Sequence, residues 1–258
     1  MNILALAAHP DDVEFQCAGT LILLGQHGHA LTIADLHNGS CGSATRTPEE
    51  IARLRAGEAR RAAALIGADY VNAGVPDLES VFDNPTRRQV AELVRRAQPG
   101  IILTHYPEDY LADHTLTSAL ARDAAFTATL GNYPTGAPAP APKLAHVPHL
   151  YHFAPTEGTD NWGRPVHFDF IVDVTPVMDR KVEMLCCHAS QREWLRVQHG
   201  IDEYVEFLKR EAATLGRLAG CAFGEGFRQH RGSAYPRDNI LASLLGESLR
   251  PVAGRPAG

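Results

Sequence analysis

AAHPDDVEF, residues 7–15, is the stretch whose reading decides this chain. An apolar run that starts at Asn2 stops abruptly in His9, Pro10, Asp11 and Asp12, and apolar periodicity resumes at Val13. The first run has strand length and the pattern from Val13 to Gln26 has helical period, so the polar tetrad sits at a strand-to-helix turn. One reading is a polar turn in which Asp11 or Asp12 caps the helix. The other is a metal site with a carboxylate base beside it.

Working outward, the alternation continues. ALTIADL (30–36) reads as a second strand, followed by a glycine-rich loop. Thr47 and Glu50 then form a capping box that opens a helix running to about Ile66. DYVNAG (69–74) is a weaker strand, Thr86 to Ala97 a helix, GIILTH (100–105) a strand ending again in histidine, and 112–129 an alanine-rich helix. Short strands alternating with longer helices predict an α/β fold: a Rossmann-like, mostly parallel sheet covered by helices on both faces. The proline-rich stretch 131–149 reads as a connecting loop or flap over the substrate. Beyond it, LYHFAP (150–155) and HFDFIVDVT (167–175) read as strands, Pro176 to about His188 and Gly200 to Leu218 as helices, and 221–239 as irregular. The whole is expected to form one domain over 1–250, with core 1–130, a C-terminal strand-helix elaboration over 150–250, and a flexible tail 251–258.

The 258 residues suffice for one large domain with a proper core. A formal charge of −6 and the lack of a lysine-arginine stripe give no reason to expect nucleic acid. Five cysteines without a CxxC pair fit neither a disulfide framework nor a thiolate zinc knot, and point to reduced thiols in a cytoplasm. The N-terminus has no basic region or secretory apolar core, and no apolar run approaches the roughly 20 residues that span a membrane.

In an open parallel sheet, ligands sit beyond the carboxyl ends of the strands. Two strands end there in metal-competent groups: His9 and Asp12 after the first, His105 and then Asp113-His114 after the fourth. His9, Asp12 and His114 supply the three ligands a catalytic zinc needs, leaving a position for water. Asp11 would be the spare carboxylate that takes a proton from that water. Asp113 is placed to orient its neighbour His114 through the other ring nitrogen. His105 has an alternative role as a strand-end histidine that accepts a backbone hydrogen bond. A glycine-rich phosphate loop is missing from the first turn and a G-x-S-x-G elbow from the chain, which argues against a dinucleotide oxidoreductase and a serine hydrolase.

AHPDD after a first strand and D-x-x-x-D-H (Asp109 to His114) after a later one resemble the PIG-L or LmbE-like family of metal-dependent N-deacetylases. So do RLRAGEARRAAALIGA (53–68), VPD (75–77) and DFIVDVTPVMDRKVEMLCCHASQ (169–191), with Lys181 and the H-x-S-Q of 188–191. The resemblance implies a zinc hydrolase, with iron or another divalent ion fitting the same ligands, that removes acetyl from an N-acetylated amino sugar. It implies His9, Asp12 and His114 as metal ligands, Asp11 as general base, Arg55 and Asp77 as substrate contacts, and a trimer or hexamer. Arg55 could instead pair with Glu58 on the helix surface, and Asp77 could be a turn residue. One position departs from the pattern: the family's histidine three residues before the last ligand is Leu111 here. His188, His230 and Tyr110 are the candidates to replace it. Its loss leaves an amide hydrolase on a non-acetyl or thiol-conjugate substrate, or a weakened carbohydrate-binding protein, as rival readings. Trp162 and Trp194 are available to stack on a sugar or to serve a core or interface.

Overall fold

The computed structural model describes residues 1–193 and 203–252. Its frame is five parallel strands, β1 (Asn2–Ala7), β2 (Ala30–His37), β3 (Asp69–Val75), β4 (Ile101–Thr104) and β5 (His149–Phe153), in spatial order 3-2-1-4-5. β1 lies between β2 and β4, with Asn2 opposite Ala30 and Ile3 opposite Ile101. Both faces of the sheet are covered, as the near-continuous apolar runs require. Ile3, Ala5 and Ala7 face one core with α1 (Asp12–Gln16), α2 (Ala18–Gln26) and α3 (Pro48–Ala64), whereas Leu4 and Leu6 face α4 (Asn84–Ala97) and α5 (Ala112–Thr127). The capping box is present: the Glu50 amide donates to Thr47 Oγ1 at 3.3 Å and the Thr47 amide to Glu50 Oε2 at 3.0 Å. The expected helix 13–26 divides at Cys17, whose φ of −145° is extended.

The C-terminal part extends the same sheet. β6 (Phe170–Asp173), α6 (Met178–Cys186) and α7 (Glu203–Arg217) fall where strands and helices were expected, and α8 (Ile240–Leu245) follows. The irregular reading of 221–239 is corrected: β7 (Gly224–Gln229) is an interior strand, antiparallel to both β5 and β6. Its glycines hide it from apolar patterning, and packing explains them. A Cβ at Gly224 would lie 2.5 Å from Ile171 Cγ2 and 3.0 Å from the Gly216 nitrogen, so α7 could not sit this close with a side chain there. β8 (Leu249–Pro251) pairs antiparallel with β6, so Pro251 ends an edge strand rather than opening a tail; 253–258 lie outside the described residues.

The flap reading of 131–149 is also corrected. This stretch joins the end of α5 to the start of β5, and both lie at the amino-terminal edge of the parallel strands. Its bonds are to that edge: Leu144 N–H donates to Ala128 O, Gln98 to Pro142 O, and His149 N–H to Gly100 O. Helix-to-strand connections in a parallel α/β fold lie opposite the ligand edge. Among the described residues, no helix is long and apolar enough to cross a membrane.

The two halves are joined by a buried ion pair. Glu225 of β7 accepts from the Gly19 and Thr20 amides, each at 2.8 Å, from Thr20 Oγ1 at 2.6 Å and from Lys181 Nζ. Both charged side chains are 1% exposed, and the carboxylate sits at the amino end of α2, where the helix dipole favours it. Removing one partner of such a pair leaves an uncompensated charge and typically costs about 3–5 kcal/mol. Lys181→Met is therefore expected to lower the unfolding free energy by an amount of that order, read in urea as a lower midpoint at unchanged slope; an unchanged midpoint would show that the pair contributes nothing net.

Candidate metal centre

The order 3-2-1-4-5 reverses direction between β1 and β4, and the polar residues gather at the carboxyl ends of those two strands. The turn after β1 is closed by Asp12, whose Oδ2 accepts from the His9 amide at 2.7 Å. Neither Asp11 nor Asp12 caps α1 through its side chain, which removes the helix-cap reading. Asp11 has a φ of 111°, a left-handed conformation that costs a non-glycine residue about 1–3 kcal/mol. That strain turns its carboxylate away from the helix.

His9, Asp12 and His114 converge, with their donor atoms within 4.8 Å of one another. Asp12 Oδ2 is 3.5 Å from His9 Nδ1 and 3.5 Å from His114 Nε2. Ligands held about 2.0–2.2 Å from a tetrahedral ion lie at about this separation, so the three donors fit a divalent cation. The outer nitrogens are bound to carboxylates: His9 Nε2 to Asp113 Oδ2 at 3.0 Å and His114 Nδ1 to Asp109 Oδ1 at 3.0 Å. Such partners fix the tautomer that leaves a lone pair on the inner nitrogen. Asp113 thus orients His9, not its chain neighbour His114. Adjacent residues at a helix start point about 100° apart, so the two cannot face each other. Asp109, the first residue of the D-x-x-x-D-H motif, holds His114 and was not singled out by sequence. Burial opposes the charged form of His9, but Asp113 and Asp12 outweigh it and push the imidazole up to about 10, so a cation binding here would displace the proton from the inner nitrogen.

His105 has its expected strand-end role, its Nε2 accepting the Ala8 amide at 2.9 Å. Burial and the neighbouring His114 push it down to about 4, so the ring is neutral and can accept. Two other donor groupings, His9-His37-Asp113 and His105-Asp109-His114, each combine one of these ligands and the carboxylate that orients it with a further buried histidine.

Asp11 is gripped from both sides. Arg55 Nη2 reaches Oδ1 at 3.3 Å and also donates to the Pro10 carbonyl, while Tyr204 Oη donates to Oδ2 at 2.6 Å. Burial pushes the Asp11 carboxyl above the usual carboxylate range, against the pull of Arg55 and His188. Arg55 is 4% exposed and sits behind the base, which corrects both its substrate-contact reading and its pairing with Glu58. Glu58 instead accepts from Ser190 N–H at 2.9 Å and Oγ at 2.6 Å. Gly39, with φ +78°, lets the loop after β2 lie on Arg55; a Cβ there would meet Arg55 Cδ at 2.7 Å. Asp77 holds the same loop, accepting from the Gly39 amide at 2.7 Å and the Cys41 amide at 2.9 Å, so its carboxylate anchors backbone rather than facing the cleft. Tyr204 was missed because it comes from a helix 193 positions away in sequence and reads there as an ordinary buried position.

The donors open on a cleft of about 300 Å³. Its wall includes Asp11, Asp12, His114, Tyr110 and Thr156, closed by Phe15, Gln191, Glu203, Tyr204 and Phe207. The sequence-predicted residues do not all meet there. His188 is fully buried, its Nε2 3.4 Å from Glu14 Oε1, in the turn that follows α6. His230 lies at the end of β7 beside His152 and lines a different cavity. Trp162 is 76% exposed on a turn and does not line the cleft; Trp194 lies outside the described residues.

Residues 4–125, which contain both halves of this centre, match the PIG-L family, described as GlcNAc-PI de-N-acetylase. Over these residues the chain is similar to the PIG-L family. It is similar to a 4-oxalmesaconate hydratase of Pseudomonas putida (29% identity, covering 74% of each chain). It is also similar to a probable N-acetyl-alpha-D-glucosaminyl L-malate deacetylase of Bacillus anthracis (27%, covering 81% of this chain and 92% of the relative). A diacetylchitobiose deacetylase of Thermococcus kodakarensis is 25% identical, with 88% and 82% covered. Among solved structures, the 4-carboxy-2-hydroxymuconate hydratase of Pseudomonas putida superposes with a TM-score of 0.73 at 23% identity, covering 93% and 98%, a likeness of fold.

In this protein Leu111 is the residue just before α5; its carbonyl accepts from the His114 and Thr115 amides, its amide donates to Asp109 Oδ1 at 3.3 Å, and its side chain has no polar group to offer. Of the three candidates to replace the usual histidine, Tyr110 alone is on the cleft wall, its ring centroid 5.5 Å from that of His114. Asp109→Asn is expected to weaken metal affinity about 10–100-fold, the usual effect of losing an orienting carboxylate. Competition with a chromogenic chelator measures it; wild-type affinity would exclude Asp109 from the site's support.

Proposed function

We propose that the protein is a zinc-dependent N-deacetylase that hydrolyses the acetamide of a small, uncharged N-acetylated amino sugar. The observation that carries this reading is the character of the cleft wall. Phe15, Tyr110, Tyr204 and Phe207 offer aromatic faces, Asp11, Asp12 and Glu203 offer acceptors, and the described lining residues include no lysine or arginine. Aromatic faces and carboxylate acceptors suit a neutral polyhydroxylated ring. They also suit the cationic amine left by deacetylation.

When bound by His9, Asp12 and His114, a divalent ion supplies a water acidic near neutrality and a Lewis acid for the amide carbonyl. The chain supplies the proton traffic. Asp11 keeps a free lone pair on each oxygen while Arg55 and Tyr204 fix its direction, so it can take a proton from the attacking water. Its raised proton affinity makes it a better base, and once protonated it can return the proton to the leaving nitrogen. Tyr110 is the wall group able to donate to the developing oxyanion where Leu111 cannot. Bond by bond, water adds to the carbonyl carbon, the C–N bond breaks, and acetate and a free amine leave.

A second reading comes from the hydratase relative, which covers 74% of this chain. Addition of water to a carbon-carbon double bond needs the same activated water but no acid for a leaving amine, which accords with Leu111. A carboxylate substrate, however, finds no cation on the described wall. The two readings separate in one assay. Acetate release from a panel of N-acetylated amino sugars is expected, with no hydration of unsaturated oxo-carboxylates. It should collapse on chelation and in Asp11→Asn by at least about 10²-fold, the scale of general-base catalysis. Hydration without acetate release would establish the second reading instead.

Tyr204→Phe isolates the grip on the base. A hydrogen bond to a charged group contributes about 1.5–3 kcal/mol, so kcat should fall about 10–100-fold with KM nearly unchanged. A rise in KM at constant kcat would make Tyr204 a binding residue.

A further inference from the structure

Behind the metal centre lies a second cavity, about 420 Å³, that shares no lining residue with the cleft. Its floor is His152 of β5, 3% exposed. His152 Nδ1 lies 2.7 Å from the His105 carbonyl, which can only accept, so the proton is on Nδ1. Burial pushes the ring down to about 4, which keeps it neutral and leaves Nε2 a bare acceptor. That atom is buried and has no partner, and the residue that bears it lines the cavity. Buried acceptors are nearly always paired, and this one calls for a donor from whatever fills the cavity.

The rim has the opposite polarity. Arg228 and Arg231 are exposed at the end of β7, and His230 stands between them. Arg228 donates to Tyr106 Oη through Nη1 at 2.7 Å, and Arg231 to Gln229 Oε1 through Nε at 3.2 Å, which fixes both stems while other N–H groups of each remain for a ligand. Arg122 adds positive charge near His230 and His152. The acid on the wall, Asp169, is engaged by the Gln229 amide at 2.9 Å and by His167 at 3.1 Å. No metal-binding grouping of the described residues falls here. A buried acceptor beneath a fork of arginines is complementary to a molecule that carries an anion and, a few atoms away, a hydroxyl.

We propose that this cavity is a second ligand site, for a small hydroxyl-bearing phosphate ester, with Arg228 and Arg231 on the phosphate and His152 Nε2 accepting from the hydroxyl. The same contacts give the site a route to the metal centre. His152 holds the carbonyl of His105, whose ring faces Asp12 at 3.2 Å, and Arg228 holds Tyr106, at the start of the loop that carries Asp109. The inference is independent of the substrate assigned to the cleft.

Calorimetric titration tests it, with glycerol 3-phosphate, inorganic phosphate and glycerol as probes and the whole chain as the protein. Saturable binding of glycerol 3-phosphate at one site per chain is expected, at least about tenfold tighter than inorganic phosphate and with no heat from glycerol. Arg228→Gln and Arg231→Gln should each weaken it about tenfold, the loss of one charge-assisted contact. His114→Ala, which disables the metal centre, should leave it intact. No saturable binding, equal affinity in both arginine variants, or inorganic phosphate bound as tightly as the ester would overturn the site. Loss of binding in His114→Ala would also overturn it, by placing the ligand in the cleft.

Discussion

The Asp12 carboxylate, set among three imidazoles at the crossing of β1 and β4, is the interaction on which the rest of the site depends. One oxygen closes the turn after β1 on the His9 amide and also lies 3.2 Å from His105 Nε2 and 3.5 Å from His114 Nε2. Burial alone would raise its pKa, but His114 above all holds the carboxyl well below the usual range. A charge fixed in this way keeps the ligand edges of two strands together, and it sets where a cation and the water beside it must lie.

Around that charge the protein arranges successive shells. Asp113 and Asp109 hold the outer nitrogens of His9 and His114, and are held in turn, Asp113 by the Leu78 amide at 2.8 Å and Asp109 by the Leu111 amide at 3.3 Å. Arg55 and Tyr204 hold the base. Two of the five described non-glycine residues with positive φ, Asp11 and Leu78, belong to turns that reach the centre. Left-handed backbone at non-glycine residues persists where surrounding contacts over-determine it, and here those contacts are the functional ones.

Relatives with this frame carry names of two reaction classes, amide hydrolysis and hydration. Both reactions consume water, and they differ in what must be held and what must leave. In this chain the aromatic, acidic wall formed by α1, Tyr110 and α7 is the part of the cleft that bears on that difference.

Sequence alone determined the parallel frame and brought together the three donors of the candidate metal site. Strand-length apolar runs ending in His9-Pro10-Asp11-Asp12 and in His105 through His114 place those residues at one sheet edge by topology, whatever the packing. Local spacing also settled the capping box of α3, because its bonds span three residues. Tertiary structure decided the rest. The partners of Asp113 and Arg55, the contact of Tyr204 with Asp11 and the separate cavity around His230 arise from segments far apart in the chain. β7 was hidden because close approach to α7 and β6 demands glycine where a strand would otherwise show apolar side chains. Period and spacing report what a residue does within its own element. Which side chain meets which across elements is set by three-dimensional packing, and no one-dimensional pattern carries it.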